Sequence, residues 1–116
     1  MTEQERDGRL KPFFWVEHSG GASVCLEAGC FLQEVFDTWA EDGVEGNGYD
    51  WASLAQVFLE QRRPELREKI HMDPEAGMFC AYSKDGQALL DFALSFRGAC
   101  DDREEIGALF AQAELD

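Results

Sequence analysis

His71, Asp73 and Glu75 in the stretch HMDPE set an imidazole and two carboxylates at alternate positions. Those side chains can ligate a divalent metal or share general acid and base work. A small metal-dependent hydrolase using these three residues is one reading of the chain. A polar loop leading into a strand, its turn set by Pro74, is the other. His18 lies beside Glu17 with no nucleophile next to it and reads as a polar residue at a strand end. No Ser or Cys sits in a nucleophile-elbow pattern, so no catalytic residue is assigned. Cys25, Cys30, Cys80 and Cys100 form no C-x-x-C pair, and three of them fall in apolar segments. They read as buried thiols rather than a metal site, and no metal or cofactor is expected.

The stretch GVEGNGYDW, Gly43 to Trp51, has three glycines, two carboxylates and two aromatic residues. Glycine gives up the most backbone freedom on folding, so a cluster of it implies either φ > 0 or close approach to another group. A phosphate loop is excluded by charge, because Glu45 and Asp50 are present and no base is nearby in sequence. A calcium loop could draw oxygens from Asp42, Glu45, Asn47 and Asp50, but their spacing does not follow the EF-hand positions. Tyr49 stands in this loop ahead of a helix, where a ring can meet a partner.

The loop lies within a wider acidic interval. The net charge is −14, and no Lys or Arg occurs from Pro12 to Gln61, an interval that holds Glu17, Glu27, Glu34, Asp37, Glu41, Asp42, Glu45, Asp50 and Glu60. Such a chain repels nucleic acid and anionic membranes and attracts basic macromolecules. If the fold brings these side chains together they form a face of one sign, and Glu34, Asp37, Glu41, Asp42, Glu45 and Tyr49 are the residues expected to meet a partner. A solvated surface that only promotes solubility is the plainer alternative.

A chain of 116 residues with 45% hydrophobic content suits one domain with a real core. The first twelve residues read as a charged segment and 13–116 as the domain. No apolar run of about 18 residues appears and the N-terminus is charged, so a cytoplasmic protein is expected. Phe13 to Ser19 and Ala22 to Ala28 flank a diglycine and predict a β-hairpin. In the second strand Ala22, Val24 and Leu26 face one way and Ser23, Cys25 and Glu27 the other, which fits a sheet with one side covered. Phe31, Leu32, Val35, Phe36 and Trp39 predict an amphipathic helix running to Gly43. Asp50 is placed to cap a second helix carrying Trp51, Leu54, Ala55, Phe58 and Leu59. Pro64 restarts a short helical stretch, Gly77 to Ser83 form a strand, and a helix through Leu89 to Phe96 follows. Asp101 and Glu104 form a capping-box pattern for a last helix. The order is ββααβα(α), an α+β domain with a small antiparallel sheet covered by helices.

FFWVEH with its hairpin, then FLQEVFDTWAEDGVEGNGYDWASLAQVFLE, then GMFCAYSKDGQALLDFALSF, resemble the immunity protein 51 family of bacterial polymorphic-toxin systems. The resemblance spans roughly Phe13 to Phe110 and is most specific at EGNGYDW. It implies an α+β domain in the bacterial cytoplasm, no enzymatic activity, and protection of the producing cell by binding a cognate toxin. A toxin with a basic surface is the partner that the acidic interval suits, and an intracellular adaptor for another basic protein is the rival reading.

Overall fold

The computed structural model describes residues 1–112. The predicted hairpin forms from β1 (Phe14–His18) and β2 (Gly21–Glu27), in register from Phe14 opposite Cys25 to His18 opposite Gly21. Its turn is Ser19-Gly20, one residue earlier than the diglycine suggests. Gly21 belongs to β2 at φ 136°, and a Cβ there would lie 2.1 Å from the Ser83 carbonyl oxygen. The second glycine therefore serves strand packing, while the turn uses only the first.

Four antiparallel strands make one sheet in the order β1-β2-β4-β3, where β3 is His71–Met72 and β4 is Met78–Ser83. The sequence reading did not include β3. It is two residues long, too short for its alternation to register, and its pairing continues through Asp73 N–H to the Cys80 carbonyl (2.9 Å) and Glu75 N–H to the Met78 carbonyl (2.8 Å). Ala76-Gly77 is thus the turn of a second hairpin.

Helices α3 (Gly48–Arg62) and α4 (Gly86–Ala99) pack on one face of β2 and β4, with α5 (Arg103–Ala111) against both helices. Trp51, Leu54, Ala55 and Phe58 from α3 and Leu89, Phe92 and Phe96 from α4 are buried against Val24, Leu26, Phe79 and Ala81 of the sheet. Aromatic rings knit the centre: Phe13 meets Trp51 edge-on at 5.8 Å and Phe96 at 5.9 Å, and Phe36 lies 5.1 Å from Trp51. Among the described residues no helix packs on the opposite face of the sheet. The α+β class and the broad element order agree with the sequence.

Local departures have physical reasons. Glu3–Leu10, left unassigned within the charged segment, form helix α1, because Thr2 caps it and Leu10 is fully buried. The predicted helix from Phe31 to Gly43 is instead the five-residue α2 (Gln33–Asp37) followed by a 3-10 turn, Ala40–Asp42. Bonds of the i to i+3 type, Trp39 N–H to Phe36 and Asp42 N–H to Trp39 (both 2.9 Å), tighten the backbone there. Phe36 and Trp39 then both reach Phe110 of α5, at 5.1 and 6.1 Å. The last helix is capped by Asp102, which accepts from Glu105 N–H (3.1 Å), one residue later than Asp101 and Glu104 suggest. Asp101 instead pairs with Arg97 of α4 at 2.7 Å.

Candidate functional site: an acidic ridge on a pinned glycine loop

The three glycines of GVEGNGYDW answer to different constraints. Gly43 takes φ 86° where the chain leaves the 3-10 turn, and Gly46 takes φ 79° against the Gln33 side chain. Gly48 has no positive φ, but a Cβ on it would lie 1.9 Å from the Glu75 carbonyl oxygen and 2.3 Å from that of Met78. Its N–H donates to the Ala76 carbonyl at 3.1 Å. The loop therefore presses backbone to backbone on the tip of the β3–β4 hairpin.

Asp50 caps α3, but from the third helical position and not as the N-cap residue. Asn47 is the N-cap: its Oδ1 accepts from Asp50 N–H at 2.9 Å. The Asp50 carboxylate reaches back to accept from the N–H groups of Glu45 (3.0 Å), Gly46 (2.8 Å) and Asn47 (3.3 Å). Gln33 Nε2 donates to the Glu45 carbonyl at 2.9 Å, tying α2 to the same loop. Few backbone groups of the loop remain without a fixed partner.

Every residue expected to meet a partner, Glu34, Asp37, Glu41, Asp42, Glu45 and Tyr49, is exposed. Tyr49 belongs to the first turn of α3, not the loop, and half its surface is open to solvent. The face is not wholly of one sign. Arg103 of α5, distant in sequence, pairs with Glu34. Asp37 accepts from Gln33 Nε2 at 3.1 Å, and Glu45 accepts from Asn47 Nδ2 at 3.4 Å. Glu41 and Asp42 have no side-chain partner among the described residues, which leaves them with Asp37 and Glu45 as carboxylates that no base neutralises. Charges on a preformed surface steer a partner without first having to be ordered.

The metal reading of His71, Asp73 and Glu75 is corrected. These residues run along the extended edge of the second hairpin, where alternate side chains stand about 7 Å apart. The described residues include no group of three such side chains able to hold a metal ion. The His71 ring packs on Tyr82 at 5.3 Å and borders a cleft of about 470 Å³ shared with Glu60 and Arg67 of the α3 side.

Sequence reading expected a sheet with one side covered but assigned no role to its open face. Its signal was present in β1, whose residues are apolar on both sides of the strand: Phe14 and Val16 are exposed while Trp15 turns inward under Arg6 of α1, 5.0 Å from the ring. At the centre of that face Cys25 and Cys80 oppose each other with their sulfurs 3.4 Å apart. Burial, helped by the Cys80 thiol, pushes the Cys25 thiol up to about 12, and burial pushes Cys100 up to about 12 as well. All four cysteines are free thiols.

The chain is a small α+β domain in which Asp37, Glu41, Asp42 and Glu45 are exposed and form no salt bridge among the described residues. The chain belongs to the immunity protein 51 family, whose model matches residues 13–115. It is accordingly an immunity protein, a class whose members bind a cognate toxin. Comparisons with curated proteins and with solved structures return no match. No helix among the described residues is long and apolar enough to cross a membrane.

Proposed function

We propose that this immunity protein neutralises a toxin with a basic surface by presenting the ridge of Asp37, Glu41, Asp42, Glu45 and Tyr49, with Glu34 at its margin, in the cytoplasm of the bacterium that makes the toxin. The observation that carries this reading is the set of exposed carboxylates lacking a cationic partner, Asp37, Glu41, Asp42 and Glu45, of which Glu45 sits on a backbone held by Asp50, Gln33 and the neighbouring Gly48 N–H to Ala76 carbonyl bond. Toxins that act on polyanions are commonly basic, and an acidic inhibitor can place carboxylates where phosphates would bind. Complementary charge speeds the encounter and sets its register, and Tyr49 adds a ring that can be buried at the contact.

Growth protection tests the proposal. Cells expressing the cognate toxin should survive with the parent chain and lose protection when Glu41, Asp42 and Tyr49 are replaced together by Lys, Lys and Ala. Full protection by that folded variant would refute the ridge as the binding surface.

A further inference from the structure

The registers place twelve side chains on the uncovered sheet face: Phe14, Val16 and His18 of β1, Ser23, Cys25 and Glu27 of β2, Met78, Cys80 and Tyr82 of β4, and His71, Asp73 and Glu75 along the β3 edge. They are arranged in order. Val16, Ser23, Tyr82 and His71 make one row and Phe14, Cys25, Cys80 and Asp73 the next, with Glu27, Met78 and Glu75 at the hairpin tip. Phe14, Val16 and Tyr82 are 41%, 42% and 38% exposed, so large apolar groups lie open where a covered sheet would bury them. No Lys or Arg occurs on this face of the four strands, and its carboxylates gather at the end where Gly48 presses on the Glu75 carbonyl. At that end the hairpin tip, Ala76-Gly77, shares a shallow surface cleft with Glu45, Gly46 and Asn47 of the glycine loop.

We infer that the uncovered sheet face is the apolar centre of the toxin-docking surface, with the ridge as its charged border; this rests on the reading given under Proposed function. Stable interfaces pair a desolvated apolar centre with a polar rim, and the ridge alone offers only Tyr49 as an apolar anchor. Tyr82, Phe14 and Val16 supply what it lacks. Charge selects the occupant. A second copy would bring another net charge of −14, with its own Glu27, Asp73 and Glu75, against the same rim. An anionic membrane is repelled for the same reason. A protein presenting apolar side chains ringed by Lys and Arg fits both the centre and the border.

The two parts of the surface should separate in kinetics. Long-range charge acts on association, whereas loss of close apolar packing acts on dissociation. Binding of the purified cognate toxin domain would be followed by surface plasmon resonance for the parent, Tyr82→Ser, Val16→Ser and the ridge variant Glu41→Lys/Asp42→Lys. Melting curves would confirm that each is folded. The expected result is dissociation faster by about tenfold or more for Tyr82→Ser, a smaller increase for Val16→Ser, and association rates within about twofold of the parent. The ridge variant should show the converse. Parent-like dissociation in both sheet variants overturns the inference while leaving the ridge reading intact. A parent chain that sediments as a dimer, and becomes monomeric on Tyr82→Ser, overturns it in favour of self-association. Failure of the parent itself to bind the toxin removes the ridge reading and this inference together.

Discussion

Replacing Gly48 by alanine tests the docking of the glycine loop at a single methyl group. In an isolated helix the change would be favourable by up to about 1 kcal/mol, since alanine is the better helix former. Here the new Cβ would lie 1.9 Å from the Glu75 carbonyl oxygen and 2.3 Å from that of Met78, so the loop and the hairpin tip must part by more than 1 Å. Both obstructing atoms are backbone and cannot rotate aside. Overpacking of this kind costs about 1–3 kcal/mol, and separation also strains the Gly48 N–H to Ala76 carbonyl bond, worth about 1 kcal/mol. The net expectation is a loss of about 2 kcal/mol, seen as a fall of about 10 °C in melting temperature for a domain of this size. Gly43→Ala is the control: its φ of 86° carries a conformational cost, but no atom stands within 4 Å of the added Cβ. It should lose about 1 kcal/mol. Calorimetry and urea titration of both variants provide the measurement. Gly48→Ala as stable as the parent, or less affected than Gly43→Ala, would refute the loop-on-hairpin contact and the rigidity argued from it.

Three further outcomes follow from the same geometry. Asp50→Ala removes the acceptor for three loop N–H groups and should cost about 2 kcal/mol in urea unfolding, with toxin affinity largely retained once only folded protein is counted. Trp51→Ala empties the space between Phe13, Phe31, Phe36, Phe79 and Phe96 and should cost about 3–5 kcal/mol, so a variant that melts like the parent would contradict the core. Cys25 and Cys100 hold their protons to about 12 when folded, against an ordinary 9.0, so between these values the unfolded chain binds fewer protons and stability falls as pH rises. Urea midpoints measured at about pH 8 and about pH 10.5 should show that fall lessened in Cys100→Ala.

Much of the architecture was legible because strong periodicity accompanies the long buried elements. Trp51, Leu54, Ala55 and Phe58 mark α3, Leu89 to Phe96 mark α4, and Ala22, Val24 and Leu26 fix which face of β2 is buried. Elements governed by tertiary contacts were less legible. The apolar stripe through Phe36 and Trp39 fits a helix, and only the need to meet Phe110 of α5 shows why the backbone tightens into a 3-10 turn. Strand β3 has two residues and no pattern of its own; β4 defines it. At the candidate site the run of carboxylates was plain in sequence, and the exposure of Tyr49 was foreseen. Arg103 beside Glu34 was not, because a base-free interval in sequence says nothing of a base that another helix brings to it. Nor does sequence show what Gly48 approaches, since the obstructing carbonyls lie nearly thirty residues away on the hairpin.

The central claim, that a preformed acidic ridge meets a basic toxin, is tested most directly by the association rate of the purified pair at low and high salt. Asp37, Glu41 and Asp42 would be reversed together to lysine in a chain whose melting temperature is checked against the parent. The account predicts fast association for the parent that slows steeply as salt screens the charges, and slow association with a shallow salt dependence for the variant. Equal rates for the two proteins at both salt concentrations would contradict it.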